Sequence, residues 1–327
     1  MQDQDTTNRA GGVDVSVVVV NFNTAHLLHR MFAALDAARG PLSLEVIVVD
    51  NASRDNSLQV LNSLYPLAET LQNKTNVGFG RANNQGVELA RGRYVLLLNT
   101  DAFVAPDTLT KTVAYMDANP ACGVLGTKLI GEDGALQPSC RYFPTPWNTF
   151  LMATGFSKLF RGTRLVDDLS WDHESERDCD WVPGCYYLVR REVIDSVGLF
   201  DPRFFLYFEE VDHCRAVRNA GWKVTYFPHT QVVHLGGESA QSLAPIKNIG
   251  RQISALQIES QLLYFRKHHG IVGAISAVVL TMLADAIKAL SGLVRHRDRA
   301  RATTAMSHTW KTLQSLVGTD LASRATR

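Results

Sequence analysis

The run Tyr94-Val95-Leu96-Leu97-Leu98 constrains this chain more than any other stretch, because no polar residue interrupts it and it stops abruptly at Asn99-Thr100-Asp101. A strand that is apolar on both sides has to be covered on both sides, which predicts a central strand of a parallel sheet with helices above and below. Sheets of that kind take their ligands beyond the carboxyl ends of the strands. Asp101 therefore stands where a site residue stands. Asn99 and Asp101, two apart on a short turn, could offer oxygens to one hard cation such as Mg²⁺ or Mn²⁺. A turn that caps the next helix accounts for the same residues without any ligand.

The pattern is already present upstream. Residues 15–20 are β-branched and apolar and end at Asn21-Phe22-Asn23, and a helix follows with Leu27, Leu28, Met31 and Leu35 on one face. Residues 44–49 form a second strand ending in Asp50-Asn51-Ala52-Ser53, with Ser53 opening a helix that carries Leu58, Leu61 and Leu64. Strand, polar turn and helix in succession predict parallel pairing with right-handed crossovers, which brings Asn21 and Asp50 to the rim that holds Asn99 and Asp101. Asp50 could accept a hydrogen bond from a ribose hydroxyl or a base N–H, or could simply build its turn. In Asn76-Val77-Gly78-Phe79-Gly80-Arg81 the glycines allow a close backbone approach, and the helix over 81–90 aims its N–H groups at the turn. The spacing is not GxGxxG and the turn does not follow the first strand, which disfavours a dinucleotide-binding domain.

Beyond Asp101, Pro106 starts a helix that Asn119-Pro120 ends, and 123–130 is another strand. Residues 131–180 are turn-rich, with Pro138, Pro144 and Pro146 breaking any long element; they read as an irregular insertion facing the site, anchored by Trp147 and Trp171. A turn at 181–184 leads into a strand, then a short helix ends at Gly198. The aromatic run 204–208 gives way to Glu209-Glu210-Val211-Asp212-His213. A helix over 209–219 sets Glu209, Asp212 and His213 on one side and Glu210 on another, although acids in a first turn also serve the helix dipole. Two short strands, 223–227 and 231–233, follow, and His234 closes the second just before two glycines. That is a ligand's position, and equally that of a structural histidine.

Lys and Arg number 33 against 32 Asp and Glu, so no global field draws the protein to nucleic acid. Five cysteines without a CxxC pair suit reduced thiols in a cytosol better than disulfides or zinc. Residues 1–14 are polar, lack a signal peptide's basic start and apolar core, and read as a disordered tail. No segment reaches about 18 uninterrupted apolar residues, so no membrane span is expected. At the other end, 242–269 is helical in pattern, with Ile246, Ile249, Ile253, Leu256 and Leu263 on one side. Residues 271–284 are almost wholly apolar, and Thr281, Asp285, Lys288 and Arg295 share a narrow polar stripe. Such a helix could lie in a membrane interface with Arg295, Arg297, Arg299 and Arg301 near anionic headgroups, or pack on the rest of the chain, or on a second subunit as a homodimer. Residues 302–327 read as a weak amphipathic helix followed by disorder.

Taken together and in order, VSVVVVNFN, VIVVDNASRDNS, NVGFGRANNQG, YVLLLNTDA, WVPGCYYLVRREVID, GLFDPRFFLYFEEVDHC and VVHLGG resemble bacterial family 2 glycosyltransferases of the rhamnosyltransferase-like branch, over residues 15–237. The resemblance implies an α/β chain of GT-A fold: a Rossmann-like mixed sheet flanked by helices over 15–240, with a C-terminal helical extension over 241–327. It implies an inverting enzyme that uses a divalent cation, Mg²⁺ or Mn²⁺. The donor would be a nucleotide-diphospho-sugar, with dTDP-rhamnose the first candidate, and the acceptor a polysaccharide or lipid-linked glycan. The place would be the cytoplasm, at the inner face of the membrane.

Position by position, the resemblance assigns Phe22 and Asp50 to the nucleoside base, and Gly78, Asn83 and Asn84 to the ribose and diphosphate pocket. Asn99 and Asp101 stand at the family's Asp-X-Asp, with Asp101 the metal ligand and His234 a further metal or diphosphate ligand. Trp181 and Gly184 fall where the acceptor site is shaped. Glu209-Glu210 stands where the family usually shows Glu-Asp, the second acid being the general base. That makes Glu210 the base, one methylene longer than usual, with Glu209 the alternative. Two other classes stay open. A nucleotidyltransferase would show a Gly-rich basic signature after the first strand, where this chain has Asn21-Phe22-Asn23-Thr24; a catalytically degenerate nucleotide-sugar-binding subunit is compatible with Asn99 and Glu210.

Overall fold

The computed structural model describes residues 12–160, 162–236, 249–294 and 299–327. In chain order its elements are β1 (Val15–Asn21), α1 (Ala25–Ala38), β2 (Leu44–Asp50), α2 (Ser57–Leu64), β3 (Glu69–Gln72), α3 (Phe79–Leu89), β4 (Tyr94–Leu98) and β5 (Ala102–Val104). Then come α4 (Thr108–Ala118), β6 (Cys122–Ile130), β7 (Leu136–Gln137), α5 (Pro146–Thr154), β8 (Arg177–Asp178), β9 (Tyr186–Arg190), α6 (Arg191–Val197), α7 (Glu209–Asn219), β10 (Lys223–His234), α8 (Ile249–Val294) and α9 (Arg299–Gly318).

The sheet runs β3-β2-β1-β4-β9-β6-β10-β5. Its first half is parallel, β9 enters antiparallel between β4 and β6, and β5 returns antiparallel along β10. The all-apolar β4 is buried on both faces, as its sequence requires. Leu96 and Leu98 pack with Leu28, Met31 and Leu35 of α1 and Leu109 and Val113 of α4. Val95 and Leu97 face the other way, towards Val211, Cys214 and Val217 of α7 and Leu262, Leu263 and Phe265 of α8. Parallel register opposes Asn21 to Asp50, so the polar ends of β1 and β2 reach the same edge.

Several elements depart from the expected pattern. Ser53 does not open α2: its hydroxyl accepts hydrogen bonds from Asn21 Nδ2 and the Asn23 N–H, and the helix starts at Ser57, whose N–H donates to Asp55. The gap expected at 228–230 is bridged within one continuous β10, which absorbs it as a register shift between Phe227 and Gln231. Pro146 breaks nothing, because it occupies the first turn of α5, where a missing N–H costs no bond, and Thr145 and Asn148 form a capping box there. Trp147 is 41% exposed and so is no core anchor.

At the C-terminal end, α8 bends at Gly270, whose φ is 66°. Within the polar stripe of α8, Lys288 is exposed but Asp285 is buried, accepting from Thr309 Oγ1 and pairing with His308 Nδ1 of α9, both at 2.9 Å. The expected terminal disorder is replaced by contact with α8, where the Thr326 N–H and hydroxyl bind the Glu259 carboxylate at 2.8 and 2.7 Å. Most of the N-terminal tail, the 242–248 start of the expected helix, residues 295–298 of the basic run and the side chains of Arg299 and Arg301 lie outside the described residues.

One close approach sets the spacing between α3 and the sheet: a Cβ on Gly86 would lie 2.5 Å from Val18 Cγ1 and 3.2 Å from Val49 Cγ2. Gly86→Ala should therefore lower the unfolding free energy by about 1–3 kcal/mol, the usual cost of overpacking. Chemical denaturation would measure it, and an unchanged midpoint would show that α3 can move away freely.

Candidate active site

The polar ends of the parallel strands are tied into a buried buckle. Asn21 Nδ2 donates to Asp50 Oδ1 (2.8 Å), the Ser53 N–H donates to Asp50 Oδ2 (3.1 Å), and the Thr24 hydroxyl bridges Asn21 Oδ1 and Thr100 Oγ1. Above it opens a cavity of about 240 Å³, with Phe22, Asn99, Asp101, Glu209, Glu210 and His234 in its wall. Residues from four separate stretches of sequence thus meet in one place.

Asp101 and His234 are neighbours because β5 begins immediately after Asp101 and pairs with the end of β10, Ala102 opposite His234. Asp101 Oδ1 lies 3.6 Å from His234 Nε2. Gln137 fixes the imidazole. Its Nε2 donates to the His234 carbonyl at 2.8 Å, so its Oε1 must accept the proton on Nδ1, at 2.9 Å. Nε2 is then the bare nitrogen, and its lone pair faces a carboxylate oxygen. Two acceptors tolerate that only with a proton or a cation between them, and burial lowers the pKa of His234 against the proton. The chemistry of this pair fits a divalent cation, with Asn99 in the same wall. Among the described residues no group of three or more His, Cys, Asp or Glu side chains gathers to hold a metal, so remaining ligands would come from a bound phosphate or water.

Glu209 and Glu210 open α7 directly after Tyr207 and Phe208, whose φ values of 72° and 70° are costly for residues with side chains. Glu209 is 3% exposed and Glu210 half-buried, and the buried Oε2 of each has no hydrogen-bond partner among the described residues. Burial, reinforced by the charge of Glu210, pushes Glu209 well above its ordinary value of 4.5. Burial also raises Glu210, but the N–H groups of Glu210, Val211 and Gly184 and the positive charge of Arg141 oppose it. Both acids are thus less acidic than a free carboxyl group, and the field of Arg141 opposes that rise at Glu210.

Other expected site residues lie elsewhere. Asp50 is fully buried with both oxygens engaged and is not among the residues of the wall, which Asn51 lines. Gly78 is in the wall, where a Cβ would sit 2.5 Å from the Phe205 carbonyl. Asn83 and Asn84 are not: Asn83 Nδ2 donates back to the Phe79 carbonyl within α3, and Asn84 fastens the helix to the N–H and C=O of Phe200. Trp181 is buried with its indole N–H on the Tyr142 carbonyl, outside the wall, whereas Gly184 is in it. His213 is locked between the Tyr187 hydroxyl and the Gly198 carbonyl. Of the insertion expected to face the site, Gln137 holds His234 and Arg141 acts on Glu210 through its charge, and none of the described residues of 131–180 is in the wall. Gln137, in a two-residue strand of a turn-rich region, gave no periodic signal by which sequence could find it.

The mixed sheet, with helices on both faces and a cavity at the ends of its strands, is a GT-A fold. The fold is shared with the mannosyltransferase PcManGT of Pyrobaculum calidifontis, solved with GDP-Man and Mn²⁺, at a TM-score of 0.56 and 16% identity over 96% of this chain and 89% of that one. It is also shared with residues 1–349 of Staphylococcus aureus TarS, at 0.51 and 18% over 94% and 92%. Residues 16–163 match the family model Glycosyl transferase family 2. The chain is similar to the N-acetylglucosaminyl-diphospho-decaprenol L-rhamnosyltransferase of Mycobacterium tuberculosis, 29% identical over 238 residues that cover 67% of this chain and 75% of that relative.

A carboxyl group held neutral by burial makes the folded state bind a proton that the unfolded state releases above its ordinary value of 4.5. Stability should therefore fall as pH rises from there through the raised folded-state value. Glu209→Gln removes that dependence. Its thermal midpoint should exceed the wild type's at pH 7 and converge with it near pH 4.5; a variant less stable at pH 7 would mean that Glu209 is ionised and satisfied.

Proposed function

We propose that the chain performs an inverting, metal-dependent transfer of a sugar from a nucleotide-diphospho-sugar to a hydroxyl of a polysaccharide or lipid-linked glycan. The observation that carries this is the meeting, in one cavity, of the Asp101–His234 acceptor pair with the half-buried carboxylate of Glu210. In this reading Glu210 takes the proton of the acceptor hydroxyl as its oxygen bonds to the anomeric carbon, opposite the departing diphosphate. Glu209, kept neutral, adds no second charge beside the base. A cation held by Asp101 and His234 would offset the negative charge gathering on the leaving diphosphate. Phe22 offers a ring for the nucleoside base. Rhamnose from dTDP-rhamnose is the donor to test first, and its support is the name of the mycobacterial relative.

Titration calorimetry with dTDP and UDP, with and without Mn²⁺, should show one nucleotide preferred and its binding strengthened by the metal. Asp101→Asn should remove that strengthening. Glu210→Gln should lower transfer by about 10²–10⁴-fold, the usual worth of a general base, while leaving nucleotide affinity within about threefold. Loss of binding and transfer to the same degree would overturn the base role. Metal-linked binding with no transfer under any donor would mark a binding subunit.

The same reading places the enzyme on the cytoplasmic face of a membrane. By length and composition 255–291 of α8 could cross one. Leu262, Leu263, Tyr264 and Phe265 are already spent in the core, however, so the helix would lie on a bilayer and not span it. What it turns outward is apolar: Val272 (72% exposed), Ile275 and Val279, joined by Met306 and Trp310 of α9. The intervening sequence carries Arg295, Arg297, Arg299 and Arg301, which suits an anionic surface. The full chain should co-sediment with vesicles containing phosphatidylglycerol, less with neutral ones, and Val272→Ser/Val279→Ser should release it. Self-association without vesicle binding would assign this face to a second copy instead.

A further inference from the structure

The left-handed pair Tyr207-Phe208 that aims Glu209 and Glu210 into the cavity is not stabilised by its own sequence, since neither residue is glycine. Its surroundings must hold it, and what surrounds it is one face of α8. Ser260, three per cent exposed, donates from Oγ to the Leu206 carbonyl at 2.9 Å, one residue before the strained pair. Two turns further on, Lys267 Nζ reaches Asp201 Oδ2 at 2.8 Å and Asp212 Oδ2 at 2.7 Å. His268 Nε2 takes the other oxygen of Asp212 at 2.6 Å. Asp212 is 3% exposed and lies in the first turn of α7, beside the two acids; Asp201 opens the segment that leads to them and is also gripped by Arg203. Residues 260, 267 and 268 share one side of a helix. They fasten both ends of the 201–212 segment to a single rigid bar.

We infer that Lys267, His268 and Ser260 are positioning residues for the transfer reaction, acting through Asp201, Asp212 and Leu206 to hold the turn from which Glu209 and Glu210 project. The clamp bears on the donor pocket too, because Phe205, in the same turn, lines the cavity and accepts from the Phe79 N–H at 2.8 Å. Lys267 is the key member. Among the described residues it alone ties the start of the segment to the helix, and it neutralises two buried or half-buried carboxylates that would otherwise repel each other. This inference rests on the reading of Glu210 as the base, and its primary test does not depend on that reading.

The test is amide hydrogen exchange on the full chain, compared between wild type, Lys267→Met, Lys267→Arg and Ser260→Ala. Lys267→Met should speed exchange of the 203–211 amides by at least about tenfold while leaving those of β1 and β2 unchanged, because only a local opening has become cheaper. Lys267→Arg should restore protection, and Ser260→Ala, which deletes one hydroxyl and leaves the core intact, should show a smaller rise over the same amides. In the transfer assay Lys267→Met should lower kcat by about 10–100-fold, the scale of a misplacement near 1 Å, with KM for the donor changed far less. Unchanged exchange at 203–211, or a rise spread equally over β1 and β2, would overturn the clamp. If Glu210→Gln keeps full transfer while Lys267→Met still loosens 203–211, the base assignment fails and the clamp stands.

Discussion

The pairing of Ala102 with His234 is the constraint on which the site depends. β5 is a short strand, and β10 reaches it only at the end of a long excursion beside β6, yet their few residues of antiparallel register bring Asp101 to within 3.6 Å of an imidazole nitrogen. No local propensity does this. A strand that ends in Asn-Thr-Asp would leave its carboxylate in a solvated turn, where it could relax away from any neighbour. Because the chain turns back into the sheet immediately, Asp101 is held at 3% exposure against a ring that Gln137 fixes from behind. The carboxylate and the imidazole so held lie side by side in the wall of the cavity, a donor set whose chemistry suits a divalent cation.

The two acids of α7 solve a different problem with the same means. A general base has to be less acidic than a free carboxylate, and burial supplies that at the risk of leaving the group permanently protonated. In this chain the risk is divided. Burial raises both acids, Glu209 in the deeper position, while N–H groups at the start of the helix oppose the rise at each and the field of Arg141 opposes it at Glu210. The start of a helix is the one place in regular structure where unpaired N–H groups face outward, so a base placed there can be buried and still carry charge.

Much of this was legible in the sequence, for reasons that can be named. Uninterrupted apolar runs such as residues 94–98 have few places to go, so the parallel half of the sheet follows from them almost directly. Polar strand ends follow with it, and Asn99, Asp101, Phe22 and His234 do line one cavity. What sequence could not supply is which polar residue at a strand end faces the ligand and which faces its neighbours. Asp50 and Asn51 are adjacent, and only the packing of Asn21 and Ser53 decides that the first turns inward as the buckle and the second lines the wall. The polar stripe of α8 left its partner open for the same reason, and only the packing of α9 shows what Asp285 meets. Gln137 left no trace, since an isolated amide in a turn-rich segment is ordinary until a histidine nitrogen is found beside it.

The longer acid at position 210 is intelligible from the neighbours that frame it. Gly184 presents no side chain to Glu210; a Cβ there would lie 3.9 Å from Glu210 Cβ and 3.6 Å from the ring of Phe79, an ordinary contact that fills space without forcing anything apart. The glycine therefore leaves room beside the acid, so the extra methylene is accommodated by the wall and need not push the helix back. Reach and placement are separate variables in such a site. A Glu can deliver its oxygens where a shorter acid would, provided that the turn before it is held still, and in this fold that turn is strained at two successive residues and held from outside by a helix far along the chain.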